Sequence, residues 1–284
     1  MEIASSWKLH PEKQSKFNEL SSNLCLFSPD CKTFCKCRAN SIDFITSEGQ
    51  KSKSFRVDVP EEITCISSVL SSPWILSFGT SKGRVFFYNY STDKHISISP
   101  DEQPVKFLKM CSFTESYFTK PYPVLYIQYP GGICVTIEQE NILKNVLNNS
   151  PNNVSFTKLQ ISNTKNILDS VVVNSSIPFP VFSDLHRFPA IYSVGKPFIS
   201  VSSIPQEQTM SVADNVVQKA KQFFKWLVVL PDPDEDDKEE IPILNANPEW
   251  GLNEDKRAGT SISADPTGRW LAICDNMFRV VIVD

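Results

Sequence analysis

The chain has 284 residues, of which 41% are hydrophobic, and it carries a formal net charge of −4. This size and composition suit a single all-β unit with a substantial core, and the acidic balance argues against a nucleic-acid-binding protein, because phosphates are repelled. No stretch approaches the about 18 consecutive apolar residues of a membrane span. Residues 1–8 also lack the basic and apolar regions of a signal peptide, so we expect a cytoplasmic protein.

The first three quarters of the chain consist largely of short segments with strand-like patterns. Residues 1–22 are polar and are predicted to form a lead-in, and residues 23–208 to form a propeller-like β region. A first set of strands is predicted within residues 24–46, followed by a charged loop at 48–54. Further strands are predicted at 55–59, 63–69, 74–90 (a hairpin that turns at Lys82 and Gly83), 95–98, 104–111, 123–129, 133–137, 157–161, 169–174, 190–194 and 198–202. One short helix is predicted over residues 138–147.

Four of the eight cysteines lie close together near the start of the chain, at Cys25, Cys31, Cys35 and Cys37. A structural zinc site normally combines two such cysteine or histidine pairs, and the second pair is missing here. Cys25 and Cys35 also fall where strand residues alternate inward. We therefore interpret these cysteines as reduced thiols of the core or surface, and predict no metal site and no cofactor.

Residues 209–257 break the strand pattern and are predicted to be a helical insertion followed by an acidic linker. Val212, Val216, Ala220, Phe223 and Leu227 are spaced by three or four residues, which places them on one face of a helix. The acidic run at residues 232–240 cannot bury enough apolar surface to fold. The helix either packs on its own β region or lies on a membrane or in a partner's groove.

The final segment, residues 258–284, is predicted to contain three strands joined by tight turns. The strands are residues 261–263, 270–274 and 278–283, with a turn at Asp275 and Asn276. Together with residues 24–46 and 74–90, this is the third strand–turn–strand unit of related spacing. Loose self-similarity of this kind is typical of propellers. The sequence therefore predicts an all-β protein, an incomplete WD-repeat-like β-propeller with an inserted amphipathic helix.

The sequence contains no recognisable catalytic motif. It has no nucleophile elbow, no glycine-rich phosphate loop and no metalloprotease helix, and its three histidines lie far apart in polar or loop segments. Arg84, Arg257, Arg269 and Arg279 could each be imagined as an arginine finger, but we interpret them as paired or solvated surface residues. The pattern favours a binding protein over an enzyme.

Several of these segments together resemble a known family. The segments at residues 78–88, 101–109, 192–198 and 209–230, and above all the closing stretch 256–284, are similar in order and spacing to the N-terminal region of the non-catalytic (regulatory) subunit of the Rab GTPase-activating heterodimer of the Rab-three type. The resemblance covers nearly the whole chain from about residue 23. Members of that family are longer, so a chain that ends at Asp284 is expected to leave the propeller incomplete, with an unpaired edge.

The resemblance implies a regulatory subunit that pairs with a separate catalytic subunit and reaches a Rab small GTPase through the complex. It further implies a role in vesicle traffic and autophagy as a GTPase-activating protein and, for another Rab, as an exchange factor. A peripheral contact with endoplasmic-reticulum membranes is implied as well. No catalytic residue carries over from the family.

Two other functions remain open from the sequence: a propeller scaffold unrelated to Rab regulation, and a hydrolase built from Asp and His residues. For either binding role, we nominate Val216, Phe223 and Trp226 on the predicted insertion helix as partner-binding residues.

Overall fold

The computed structural model describes residues 24–58, 60–113, 122–161, 166–174, 189–204, 243–254, 256–265 and 270–283, and these residues form a predominantly β protein. The first eight strands form two separate four-stranded antiparallel sheets in which each strand pairs with the next along the chain. The first sheet contains β1 (Cys25–Phe27), β2 (Thr33–Arg38), β3 (Ser41–Thr46) and β4 (Lys51–Arg56). The second contains β5 (Ile63–Ser71), β6 (Trp74–Thr80), β7 (Val85–Asn89) and β8 (His95–Ile98).

The middle of the chain forms an eight-stranded sheet made of two such antiparallel meanders. The third meander contains β9 (Phe107–Phe113), β10 (Tyr122–Gln128), β11 (Ile133–Glu138) and β12 (Thr157–Ile161). The fourth contains β13 (Ile167–Asn174), β14 (Pro189–Gly195), β15 (Ile199–Ser203) and β16 (Ile243–Leu252). The two meanders join where β12 pairs with β16 in parallel. Helix α1 (Gln139–Asn148) lies between β11 and β12.

The last segment forms a separate three-stranded antiparallel sheet, the fifth meander of the chain. It contains β17 (Gly259–Ala264), β18 (Leu271–Asp275) and β19 (Val280–Val283). Ile262 pairs with Ile273, and Ile273 in turn pairs with Val281, so these three residues share one face of the sheet. That face packs on the core of the preceding meanders.

The hydrophobic core lies between successive meanders. One buried cluster joins the first and second meanders around Phe44 and Phe78, and another joins the second and third around Phe87 and Leu125. A third cluster joins the third, fourth and fifth meanders. Each fully buried large apolar side chain stabilises the fold by about 1.5–3 kcal/mol relative to an exposed one.

The first strands of the five meanders contact one another in chain order: β1 with β5, β5 with β9, β9 with β13, and β13 with β17. A polar link reinforces this series. Lys109 Nζ of β9 donates to both carboxylate oxygens of Asp169 on β13, at 2.6 and 2.7 Å, and to the carbonyl oxygen of Ile262 on β17, at 2.9 Å. The amide of Ile262 donates back to Asp169 at 2.9 Å. One lysine and one aspartate thus join three consecutive meanders.

Most of the predicted strands are present, and the helix predicted over residues 138–147 is confirmed as α1. The charged loop predicted at residues 48–54 is wrong in its second half, because β4 begins at Lys51 and pairs with β3. β16 was not predicted, because it lies within the segment assigned to the insertion and linker. The predicted insertion helix and the acidic run at 232–240 lie outside the described residues.

Candidate functional site

Four of the described hairpins turn through three residues and end in a residue with positive φ. In the turn between β3 and β4 this residue is Gly49 (φ +81°), in the β6–β7 turn it is Gly83 (+77°), and in the β10–β11 turn it is Gly132 (+79°). In the β18–β19 turn the same position is occupied by Phe278 (φ +60°). This position closes a three-residue hairpin loop and is normally filled by glycine, which has no Cβ to clash with the backbone. In the β10–β11 turn the preceding Gly131 has positive φ as well (+71°).

Phe278 therefore differs from the glycines of the other three turns, because it carries a large side chain in the left-handed conformation. A left-handed conformation costs a residue with a Cβ roughly 1–2 kcal/mol. Its side chain is 99% exposed, so no burial within the described structure offsets that cost. A strained residue of this kind persists only where its surroundings hold it in place.

The carboxylate of Asp275 holds the turn in place. Its Oδ1 accepts hydrogen bonds from the amides of Met277 (2.9 Å) and Arg279 (3.0 Å), and its own amide donates to the carbonyl of Arg279 at 3.0 Å. The amide of Phe278 donates to the Asp275 carbonyl at 3.1 Å. These bonds on both sides of Phe278 fix its backbone.

Two guanidinium groups complete the surroundings of Asp275. Oδ2 accepts from Arg279 Nε at 3.0 Å and from Arg257 Nε at 3.2 Å, while the carboxylate itself has no solvent exposure. Burial raises the pKa of this carboxyl group, but the hydrogen bonds from Arg279 and Met277 outweigh it and lower the pKa to about 2. At neutral pH Asp275 is therefore ionised, and both of its carboxylate oxygens accept hydrogen bonds that hold the turn.

Beside this turn lies an open depression of about 470 Å³, lined by Glu254, Lys256, Arg257, Met277 and Arg279. Arg257 also donates to Glu254 at 3.0 Å, and its guanidinium lies 4.4 Å from the ring centroid of Phe198. Three cationic groups thus meet two carboxylates, of which Asp275 is completely buried. The accessible rim is therefore cationic on balance.

Apolar side chains project next to this cationic rim. We call Met277 and Phe278, which are 47% and 99% exposed, the apolar tip. Behind it, Val280 and Ile282 on one face of β19 are 62% and 59% exposed, while Val281 and Val283 on the opposite face pack on the core. An exposed aromatic residue beside further apolar surface and a charged rim has the composition of a protein-binding site rather than of a reaction centre.

The nominated partner-binding residues Val216, Phe223 and Trp226 lie outside the described residues, and so does Arg269. Arg84, Arg257 and Arg279 are each paired with a carboxylate, as interpreted from the sequence.

The clustered cysteines are free thiols, and burial raises the pKa of Cys37 to about 12. Over the described part of the chain, no three His, Cys, Asp or Glu side chains are grouped so that they could hold a metal ion. Within the same residues, no helix is long and apolar enough to cross a bilayer.

The predicted turn at Asp275 and Asn276 is present, but the assignment of Phe278 to the following strand is wrong. β19 begins only at Val280, because Phe278 is the left-handed residue of the turn. The sequence contains a signal for this left-handed position. The β6–β7 turn reads Thr80-Ser-Lys-Gly-Arg84 and the β18–β19 turn reads Asp275-Asn-Met-Phe-Arg279. Aligning the two on their final arginines places Phe278 at the position of Gly83.

Comparison with known protein families shows a match over residues 38–284 to the family described as the Rab3 GTPase-activating protein regulatory subunit N-terminus. The match extends from the last residue of β2 to the end of the chain and so includes nearly all of the described strands. The chain therefore belongs to this family of regulatory subunits. No curated protein matches the chain.

Proposed function

We propose that this member of the Rab3 GTPase-activating protein regulatory-subunit family acts as a non-catalytic subunit that binds a separate catalytic subunit and modulates its action on a Rab GTPase. The observation that carries this proposal is the family match over residues 38–284. The apolar tip and its cationic rim support it, because they form a surface suited to binding rather than to bond-breaking chemistry. The arginines of this surface bind carboxylates of the same chain, which agrees with a non-catalytic role.

We also propose that the five meanders are blades of an incomplete WD-repeat-like propeller. In a propeller, antiparallel meanders are arranged radially, with their first strands near a common axis and apolar layers between neighbouring blades. The contacts between β1, β5, β9, β13 and β17 in chain order, together with the core clusters between successive meanders, support this arrangement. Within the predicted insertion at residues 209–257, β16 belongs to the fourth meander, and the part that precedes β16 stays a proposed insertion with Val216, Phe223 and Trp226 as proposed partner contacts.

The finer roles come from the family resemblance. They are exchange activity toward a second Rab, participation in vesicle transport and autophagy, and peripheral association of a cytoplasmic complex with endoplasmic-reticulum membranes. A regulatory subunit could serve each role by positioning the catalytic subunit. Contact with the Rab itself would then be made through the complex.

The proposal is tested by co-expressing this chain with the catalytic subunit from the same organism and separating the products by size-exclusion chromatography. We expect one complex that contains both chains, and faster single-turnover GTP hydrolysis by Rab3 than with the catalytic subunit alone. Two separate peaks and an unchanged hydrolysis rate would overturn the proposal. That result would favour the alternative of a β-propeller scaffold unrelated to Rab regulation.

A further inference from the structure

We propose that residues 243–246, the first four residues of β16, form a strap that detaches from the sheet as a unit while the third and fourth meanders stay folded. The strap pairs in parallel with β12, the last strand of the third meander. The rest of β16 pairs with β15 of the fourth meander. This inference goes beyond the proposed subunit role and does not depend on it, because it concerns how two meanders of this chain are joined.

The strap is what makes the third and fourth meanders a single sheet. Among the described strands, the first, second and fifth meanders are sheets of their own, and the core clusters pack them on their neighbours. The third and fourth meanders also meet at their first strands, where Lys109 of β9 binds Asp169 of β13. Because three meanders form without a strand that pairs with a neighbour, we infer that the strap is an addition to the packing and not a condition for it.

A weak point in the hydrogen-bond ladder separates the strap from the rest of β16. Ser202 of β15 pairs with Pro248. The neighbouring Val201 pairs with Trp250, so Glu249 is an extra residue in β16. Such a bulge disrupts the ladder locally, and a proline has no amide N–H to donate to it. This interruption between the two halves of β16 can therefore act as a hinge for the strap.

The strap is held by little apolar surface. Leu244 and Ala246 pack towards the core, whereas Ile243 is 50% exposed and Asn245 is exposed as well. Leu244 is only partly buried, and Ala246, although 1% exposed, contributes a single methyl group. Hydrophobic stabilisation grows with the apolar area removed from water. A short segment with so little buried area opens at a smaller free-energy cost than the core strands do.

The strand beneath the strap has other interactions that keep it folded. Leu159 and Ile161 of β12 are each 1% exposed, and β12 also pairs with β11 in the antiparallel sense. Detachment of the strap would therefore leave β12 in place and uncover its edge at residues 158–161. The chain then has two forms, which differ in whether this edge is covered and in whether the two meanders are linked by a strand.

Hydrogen exchange, followed by mass spectrometry with fragmentation to single residues, tests the strap in the purified chain. The comparison strands are β10 and β14, which lie in the middle of their meanders. In wild type, we expect the slowest amide of residues 243–246 to exchange about tenfold faster, or more, than the slowest amides of β10 and β14.

The release variant is Ala246→Asp, which places a carboxylate at a buried position. Because burial of an unpaired charge is unfavourable, we expect exchange in the strap to accelerate by about another tenfold or more, with no change in β10 and β14. The matched control is Asn245→Asp, which adds the same charge one residue earlier at an exposed position. It should change the exchange of the strap by less than about twofold.

A second variant closes the strap without altering a buried residue. Gln160 of β12 lies opposite Asn245, so Gln160→Cys combined with Asn245→Cys allows a disulfide between strap and β12. Oxidation with diamide should slow the slowest strap amide by about tenfold, and reduction should restore the original rate. Wild type treated with diamide in the same way is the control for the native thiols and should show no change.

Three results would overturn the inference. The first is equal exchange of the strap and of β10 in wild type, because the strap would then not open on its own. The second is acceleration or unfolding of β10 and β14 together with the strap in Ala246→Asp, because the strap would then belong to the same cooperative unit as both meanders. The third is a disulfide-linked variant whose strap exchanges as fast as before oxidation.

Discussion

The β6–β7 turn and the β18–β19 turn share one backbone design and differ in what surrounds it. Both loops span three residues and end in a left-handed residue followed by an arginine, Arg84 or Arg279. In both, that arginine binds a carboxylate with almost no exposure, Glu61 in the first turn and Asp275 in the second. The hydrogen bonds of the turn thus set its shape in both places.

What differs is the space beside the left-handed residue. A Cβ on Gly83 would lie 2.6 Å from the carbonyl oxygen of Gln103 and closer still to that of Asp101, while the Gly83 carbonyl accepts the hydroxyl of Tyr129 at 3.0 Å. Phe278 faces solvent instead. In the buried turn, packing therefore requires glycine. In the exposed turn a side chain fits without a clash, so packing does not restrict which residue occupies this position.

The largest effect is expected for Gly83→Ala. The added methyl group combines an unfavourable φ with a clash against backbone atoms that cannot move aside, so we expect a loss of about 3 kcal/mol in the free energy of unfolding. Urea denaturation followed by tryptophan fluorescence measures it. Gly49→Ala, where the added Cβ meets open space, is the control and should lose about 1 kcal/mol. Equal losses would show that packing does not distinguish the two turns.

A smaller loss is expected for Asp275→Asn, and it should depend on pH. The folded-state pKa of Asp275 is about 2, below its ordinary value of 3.8. Its ionised form therefore stabilises the fold fully above about pH 3.8, and this contribution is lost as the pH falls toward 2. Melting temperatures of wild type and variant should differ most near pH 7 and converge toward pH 2. Glu48→Gln, at an exposed carboxylate of the β3–β4 turn, should show no comparable difference at pH 7.

Gly49→Phe recreates the Phe278 arrangement in another exposed turn. An added Cβ at Gly49 meets no atom within 4 Å, so the left-handed conformation is the expected cost, and we expect a loss of roughly 1–2 kcal/mol in unfolding free energy. The same denaturation assay measures the change, with Gly49→Asn as the milder comparison, because asparagine tolerates positive φ. A stability equal to that of wild type would mean that Phe278 is not strained.

The smallest expected effect is a gain in folding stability. Phe278→Gly removes the left-handed strain, but glycine raises the entropy of the unfolded chain, so the net stabilisation should be about 0.5 kcal/mol. The measurement is the urea midpoint of the purified chain without partners. A clear loss of stability would show that the ring supports the fold, and the argument for a binding role would lose its basis.

The sequence by itself determined the β class, most of the strands, α1 and the family, because alternating apolar residues and turn-forming residues act over short distances. It did not determine β4 or β16 correctly. Lys51 and Lys53 made the start of β4 resemble a charged loop, yet that strand lies at the end of its sheet, where charged side chains reach solvent. β16 contains Pro248 and Gly251, and it forms a strand because β12 and β15 both pair with it.

Some features of the site could likewise be predicted from the sequence, and others depend on the tertiary structure. The turn at Asp275 was predictable, because an aspartate that accepts amides two and four residues ahead is a local feature. Only the tertiary structure brought Arg257 to Asp275 and Phe198, and only it left Phe278 exposed while Gly83 was enclosed by Asp101 and Gln103. Burial depends on which distant segments pack together, and a single sequence does not state those contacts.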